Sequence, residues 1–168
     1  EWDNQAISAD LLHMVMAAGR WNIIFGGNYY PMPATSCWLV WDKLNTGDFA
    51  ACALAWTNLP KAVRRIRYMW NGMLRANGEE RGDHPTQKPL GVMAWCLQQL
   101  PADTRTVIDP FMGSGTTGVA CVAAGMAFTG IERVSRYFDI ACRRIDAAYK
   151  QPRLFAEPVA KPVQEVLI

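Results

Sequence analysis

Hydrophobic positions along the chain alternate between two periods, one suited to helices and one to strands. Leu11, Leu12, Val15 and Met16 recur at helical spacing behind Ser8-Ala-Asp10, which can cap a helix, and Gly19 closes it. His13 on this helix reads as a surface or packing residue. Trp21-Asn-Ile-Ile-Phe25 is a largely apolar run and predicts a buried strand, ended by the turn Gly26-Gly-Asn-Tyr-Tyr30. Cys37-Trp-Leu-Val-Trp41 predicts a second strand, with Asp42 and Lys43 at its end. Phe49 to Trp56 is apolar and reads as a strand or as a loop packed on the sheet. From Arg64 to Tyr68, alternation puts Arg65 and Arg67 on one face, with Ile66 and Tyr68 on the other. Leu90, Met93, Ala94, Leu97 and Leu100 mark a helix. Val107-Ile108 and Ala127-Phe-Thr-Gly-Ile131 mark strands, with a small-residue helix through Val119, Ala120, Val122, Ala123 and Ala124 between them. Arg136 to Ile145 is amphipathic and turns Phe138, Ile140, Ala141 and Ile145 partly inward. After Gln151, three prolines and no periodicity predict a tail.

The chain is organised around Thr106-Val-Ile-Asp-Pro-Phe-Met-Gly-Ser-Gly-Thr-Thr-Gly118: a short strand, an acidic turn, a glycine loop and a helix start. Such a loop points backbone N–H groups at a ligand at the helix N-terminus. A P-loop would need a Lys after its last glycine, and none stands there. Gly113-x-Gly115-x-x-Gly118 fits a dinucleotide fingerprint, but alone that signal is weak. Asp109 repels a pyrophosphate and suits a cationic ligand, an ammonium or a sulfonium. About 20 residues on, Glu132 ends the next strand, where an acid can accept both hydroxyls of a ribose. Together, Asp109, the loop and Glu132 point to S-adenosylmethionine. The plain alternative is a β-turn-α corner whose glycines serve packing.

At these residues a resemblance becomes visible. Asp109-Pro-Phe-Met-Gly-Ser-Gly-Thr-Thr117 resembles the cofactor motif of the amino-methylating DNA methyltransferases, and His84-Pro-Thr-Gln-Lys-Pro89 is similar to their second cofactor motif. Their order resembles the permuted, β-type class in which the catalytic half comes first. The resemblance covers roughly Trp21 to Tyr149. It implies an α/β, Rossmann-like methyltransferase sheet with helices on both faces over residues 1–150, a candidate DNA-recognition insertion at 57–83 and a tail at 151–168. It implies a cofactor site of Asp109, Pro110, Phe111, Gly113, Ser114, Gly115, Thr116, Thr117 and Glu132. His84, Thr86, Lys88 and Pro89 join it, with Thr86 and Lys88 placed to hold the cofactor's carboxylate. Tyr137 or Phe138 either reaches the adenine or packs in the core. The implied function is methylation of a DNA amino nitrogen, adenine N6 ahead of cytosine N4.

Composition narrows the partners. Half of the 168 residues are apolar, enough for one domain's core. A net charge of +2 confines any nucleic-acid site to a local patch. Lys61 to Arg75 supplies one: Lys61, Arg64, Arg65, Arg67 and Arg75 with no acid among them, and Tyr68 and Trp70 interleaved. Phosphates need cations and exposed bases stack on aromatics, so this is the candidate DNA-contact region, with a solvated basic strand as the alternative. Asn28 and Tyr29 are candidates for a base pocket, because ligands in open α/β sheets lie beyond the strands' carboxyl ends. The same residues also make an ordinary tight turn. Five cysteines (Cys37, Cys52, Cys96, Cys121, Cys142) stand apart with no C-x-x-C, which points to reduced, buried thiols and to no metal. No apolar run reaches transmembrane length, so the expected setting is cytoplasmic. The expected partner is double-stranded DNA, with a homodimer as an open assembly.

The resemblance also implies a catalytic motif of Asp, Asn or Ser followed by Pro-Pro and an aromatic. It polarises the amino group and stacks on a flipped base. No Pro-Pro-aromatic occurs in the sequence. In the permuted order the motif precedes residue 1, on a strand beside the glycine-loop strand, and an upstream segment is expected to supply it. No catalytic residue is therefore assigned. The resemblance also places acidic residues where Ala51 and Ala53 stand. Two other readings remain: a non-catalytic cofactor- or DNA-binding module, and an NAD-dependent oxidoreductase on the same glycine spacing.

Overall fold

The computed structural model describes residues 7–45, 50–70 and 87–151. Readings that fall on Arg75, His84, Thr86 or the tail after residue 151 lie outside the described residues. The elements in chain order are α1 (Ala9–Ala17), β1 (Ile23–Phe25), a 3-10 turn (Gly27–Tyr29), β2 (Trp38–Asp42), β3 (Cys52–Thr57) and β4 (Arg64–Arg67). They continue with α2 (Leu90–Gln99), β5 (Thr106–Asp109), α3 (Thr116–Ala124), β6 (Ala127–Gly130) and α4 (Ser135–Lys150). The architecture is α/β, as the alternating periods predict.

The first sheet has the order β1-β3-β2-β4. β3 runs antiparallel to both β1 and β2, while β4 is parallel to β2. Register explains its core. Leu39 pairs Ala55, Phe25 pairs the same Ala55, and Trp41 pairs Ala53 and Ile66. These side chains share one face and pack with Val92 and Cys96 of α2. Ala53 is thus a small residue opposite a buried tryptophan. An acid there would have to place a charge against this core, which is costly without a partner. β4 is an edge strand of this sheet, so residues 64–67 are part of its framework.

The second sheet pairs β5 and β6 in parallel, joined through α3. Its apolar side chains Val107 and Phe128 pack with Ala120, Cys121 and Leu97. α2 therefore serves both cores, through Val92 and Cys96 on one side and Leu97 on the other. The expected continuous sheet is divided: among the described residues β1 pairs with β3 alone and β5 with β6 alone. Between these two edges lies a cleft of about 890 Å³, lined by Ile23, Ile24 and Phe25 on one side and by Thr106 through Asp109 on the other.

Two inward assignments are corrected. Phe138 is 43% exposed, because α4 docks through Ala141 and Ile145 instead. A Cβ on Gly115 would lie 2.8 Å from that of Ala141, and one on Gly118 2.5 Å from Ile145 Cδ1, so these two glycines set how closely α4 approaches. Cys52 is exposed, unlike the buried Cys37, Cys96 and Cys121, since it opens β3 at the solvent end. His13 is exposed, and Ser8 caps α1 by accepting from Leu11 N at 3.2 Å.

Burial predicts the cost of truncation. Leu39, 1% exposed, should lose about 2–5 kcal/mol on Leu39→Ala. Exposed Arg65→Ala should stay within about 0.5 kcal/mol. Chemical denaturation of the two variants measures the contrast, and equal losses would contradict this core.

Candidate functional site

β5 stops because Pro110 offers no N–H to a ladder. The chain then turns, and two carboxylates organise the turn. Asp109 Oδ1 accepts from Phe111 N at 3.0 Å, and Oδ2 accepts from Thr117 Oγ1 at 2.6 Å. Glu132 Oε2 accepts from Gly113 N at 3.1 Å, and Oε1 accepts from Val134 N at 2.8 Å. Backbone bonds stitch the two strand ends together: Ile131 N donates to Asp109 O at 2.9 Å and Met112 N to Ile131 O at 3.1 Å. Gly113 and Gly115 take the left-handed backbone (φ 53° and 78°) that this reversal needs.

The predicted site residues come together unevenly. Asp109, Pro110, Phe111, Gly113, Ser114, Thr116, Thr117 and Lys88 all line the large cleft. Glu132 stands just beyond it, one strand over. Pro89 is buried as the residue before α2, with extended backbone, one position earlier than the first helical turn the sequence suggested. Lys88 Nζ lies 4.9 Å from the centre of the Phe25 ring, so the second motif meets the end of β1. Asn28 and Tyr29 follow β1 in the 3-10 turn and are exposed, Tyr29 at 80%. Tyr137 is half-buried, while Phe111, Ile131, Val134 and Phe138 are exposed on the segments around Glu132.

On the basic side, Arg64, Arg65 and Arg67 share the edge strand β4 and are exposed. Arg67 Nε sits 3.5 Å from Asp42 Oδ2, an exposed pair of small energetic weight. Lys61 and Tyr68 go elsewhere. Lys61 Nζ donates to Gln99 O at 2.5 Å, at the carboxyl end of α2, and the Tyr68 ring covers Gly91 on the same helix. Tyr68 is half-buried and packs with the first core.

Two residues at the site escaped the sequence reading. Gln87 accepts from Ser114 Oγ at 3.1 Å, and Arg144 donates to Ser114 and Thr116. Gln87 stands inside the singled-out hexapeptide. Arg144 shares the α4 face of Ala141 and Ile145, one turn along, which was the available signal.

The sequence model of the DNA methylase family matches residues 37–143. The chain belongs to the DNA methylase family. This methylase chain is 34% identical over 84 residues to the Type II methyltransferase M2.LlaDCHI of Lactococcus lactis subsp. cremoris, covering 49% of this chain and 31% of that protein. It is 37% identical over 84 residues to the DNA adenine methyltransferase YhdJ of Escherichia coli (strain K12), covering 50% and 26%. The methylase chain thus spans about a third or less of the length of these curated relatives. Among solved structures, the M1.HpyAVI–SAM complex aligns with a TM-score of 0.48 at 25% identity, over 83% of this chain and 72% of that one. Among the described residues of the methylase chain, no group of three or more His, Cys, Asp or Glu side chains could hold a metal ion, and no helix is long and apolar enough to cross a membrane.

Two thiols near the site carry a pH signature. Burial pushes Cys96, at the cleft wall, up to about 12 from the ordinary 9.0, against a smaller opposing effect of Lys88. Cys121 is likewise raised to about 12, by burial first and then by the Asp109 charge. A thiol whose folded pKa exceeds its unfolded value keeps a proton that the unfolded chain releases. The stability it contributes is complete below pH 9.0 and drains away as pH rises toward about 12. Denaturation midpoints should therefore decline across that alkaline window. The Cys96→Ala, Cys121→Ala double variant should decline less steeply. A thiol reagent at neutral pH should label exposed Cys52 well before either.

Proposed function

We propose that this chain is the cofactor-binding and DNA-facing part of a methyltransferase that transfers a methyl group from S-adenosylmethionine to an amino nitrogen of double-stranded DNA, adenine N6 ahead of cytosine N4. One observation carries it: two carboxylates at the ends of adjacent parallel strands both grip the backbone of one glycine turn. Each of their four oxygens accepts one of the bonds described, and a carboxylate oxygen has room for about two. The pair can therefore hold a further donor or cation without releasing the turn. That fits a ligand with ribose hydroxyls and a sulfonium, and the exposed apolar side chains around Glu132 fit a flat base. S-adenosylmethionine, when bound, supplies an electrophilic methyl group.

The chain's own residues position and neutralise. Glu132 is assigned to the ribose, Asp109 to the cationic side of the ligand, and Lys88 to its carboxylate. Thr116 and Thr117 anchor the loop with their hydroxyls, on Arg144 and Asp109 respectively. Arg64, Arg65 and Arg67 are the candidate phosphate contacts on β4. The group that polarises the target amine is proposed to stand on an extended segment filling the cleft between β1 and β5. The adenine preference is supported by the likeness to YhdJ, a DNA adenine methyltransferase. A cytoplasmic setting goes with this reading.

Calorimetry tests the cofactor site. The wild-type chain should bind S-adenosylmethionine in preference to NAD. Asp109→Ala and Glu132→Ala should each weaken that binding by about 1–3 kcal/mol, the usual loss for a hydrogen bond to a charged group. Unchanged affinity in both variants would remove the assignment. For the DNA face, Arg65→Ala with Arg67→Ala should lower affinity and flatten its dependence on salt. An unaltered salt slope would move the DNA elsewhere. Methyl transfer by the protein with its cleft strand in place, followed by analysis of the modified base, decides between N6 and N4.

A further inference from the structure

Behind the two-carboxylate turn, buried polar atoms converge on one side chain of α4. Arg144 Nη1 donates to the Ser114 carbonyl at 2.6 Å, and lies 2.9 Å from Ser114 Oγ and 3.2 Å from Thr116 Oγ1. The Ser114 hydroxyl donates a hydrogen bond to Gln87 Oε1 at 3.1 Å. Ser114 and Thr116 are buried, and so is Gln87. The Ser114–Gly115 peptide is held at both ends: its carbonyl by Arg144, its N–H by Met112 O at 2.8 Å. Gly115 then turns with φ 78° and lies against Ala141, three residues before Arg144. Three separate parts of the sequence thus meet at one serine: the glycine loop, the segment before α2, and α4.

We propose that Arg144 is a positioning residue for the cofactor. It fixes the peptide that ends the loop and starts α3, and through Ser114 it ties the loop to the Gln87–Pro89 segment. Its guanidinium lies among the loop's oxygens, with contacts to Ser114 and Thr116. The inference rests on the cofactor reading above, in which Arg144 enters only as the anchor of Thr116. The physical reason is preorganisation. A loop fixed before binding loses less freedom on binding, so releasing it weakens affinity without removing any group that touches the ligand.

The experiment is calorimetric titration of S-adenosylmethionine into wild type, Arg144→Met, Arg144→Lys and Arg143→Met, with thermal melts of each in the absence of cofactor. Arg143 is exposed on the same helix and serves as the control. Arg144→Met keeps the apolar stem and should raise Kd about tenfold, within the range usual for coupling between linked groups, at unchanged stoichiometry. Arg144→Lys keeps a charged donor and should recover part of the loss, while Arg143→Met should match wild type. A purely structural role would lower the melting temperature and the binding stoichiometry but leave Kd of the folded fraction unchanged. That outcome overturns the proposal, as does equal Kd in Arg144→Met and wild type. If wild type itself fails to bind, the cofactor reading falls and takes this inference with it.

Discussion

Backbone N–H groups in the turn after β5 must find acceptors, and the site follows from how they do. A reversal between a strand and a helix leaves donors without ladder partners. Here Asp109 takes Phe111 N, and Glu132 takes Gly113 N from the neighbouring strand. The two acids are thus structural before they are functional. Parallel pairing of β5 with β6 brings their ends to the same side, because Asp109 and Gly130 are register partners. Remove that pairing and the turn loses one of its two clamps.

Packing enforces the same turn from the opposite side. Gly115 and Gly118 lie where α4 comes closest, against Ala141 and Ile145. A side chain at either glycine would push the helix away and withdraw Arg144 from Ser114. The glycine spacing that resembles a dinucleotide fingerprint is therefore explained here by left-handed backbone at Gly113 and Gly115 and by the α4 contacts of Gly115 and Gly118. It does not require a pyrophosphate.

This division explains what the sequence made legible. Asp109, the glycine loop and Glu132 are near one another along the chain or set by strand length, so spacing revealed them. Strand periodicity likewise set Ile66 on the face opposite Arg65 and Arg67. Tertiary neighbours were not readable. Tyr68 looked like a base-stacking aromatic among arginines, but its ring covers Gly91, 23 positions further along the sequence. Phe138 fits an inward helical position, but the docked face of α4 is centred on Ala141 and leaves it in solvent. The link from Gln87 through Ser114 to Arg144 joins positions far apart in sequence, and no local pattern encodes it. The division into two sheets was legible only indirectly, from a strand motif that the sequence lacks.

Charge placement decides which ligand the turn prefers. The start of α3 carries the positive end of a helix dipole, which by itself would favour an anion. Asp109 counters it directly by accepting from Thr117 in the first turn of that helix. Glu132 adds a second negative group at the mouth of the loop, on Gly113 N. Arg144 supplies positive charge, but to the oxygens of Ser114 and Thr116. A phosphate entering the mouth would meet two carboxylates, whereas a sulfonium meets complementary charge. Arg144 steadies the loop through Ser114 and Thr116, next to the carboxylates that are proposed to hold the ligand.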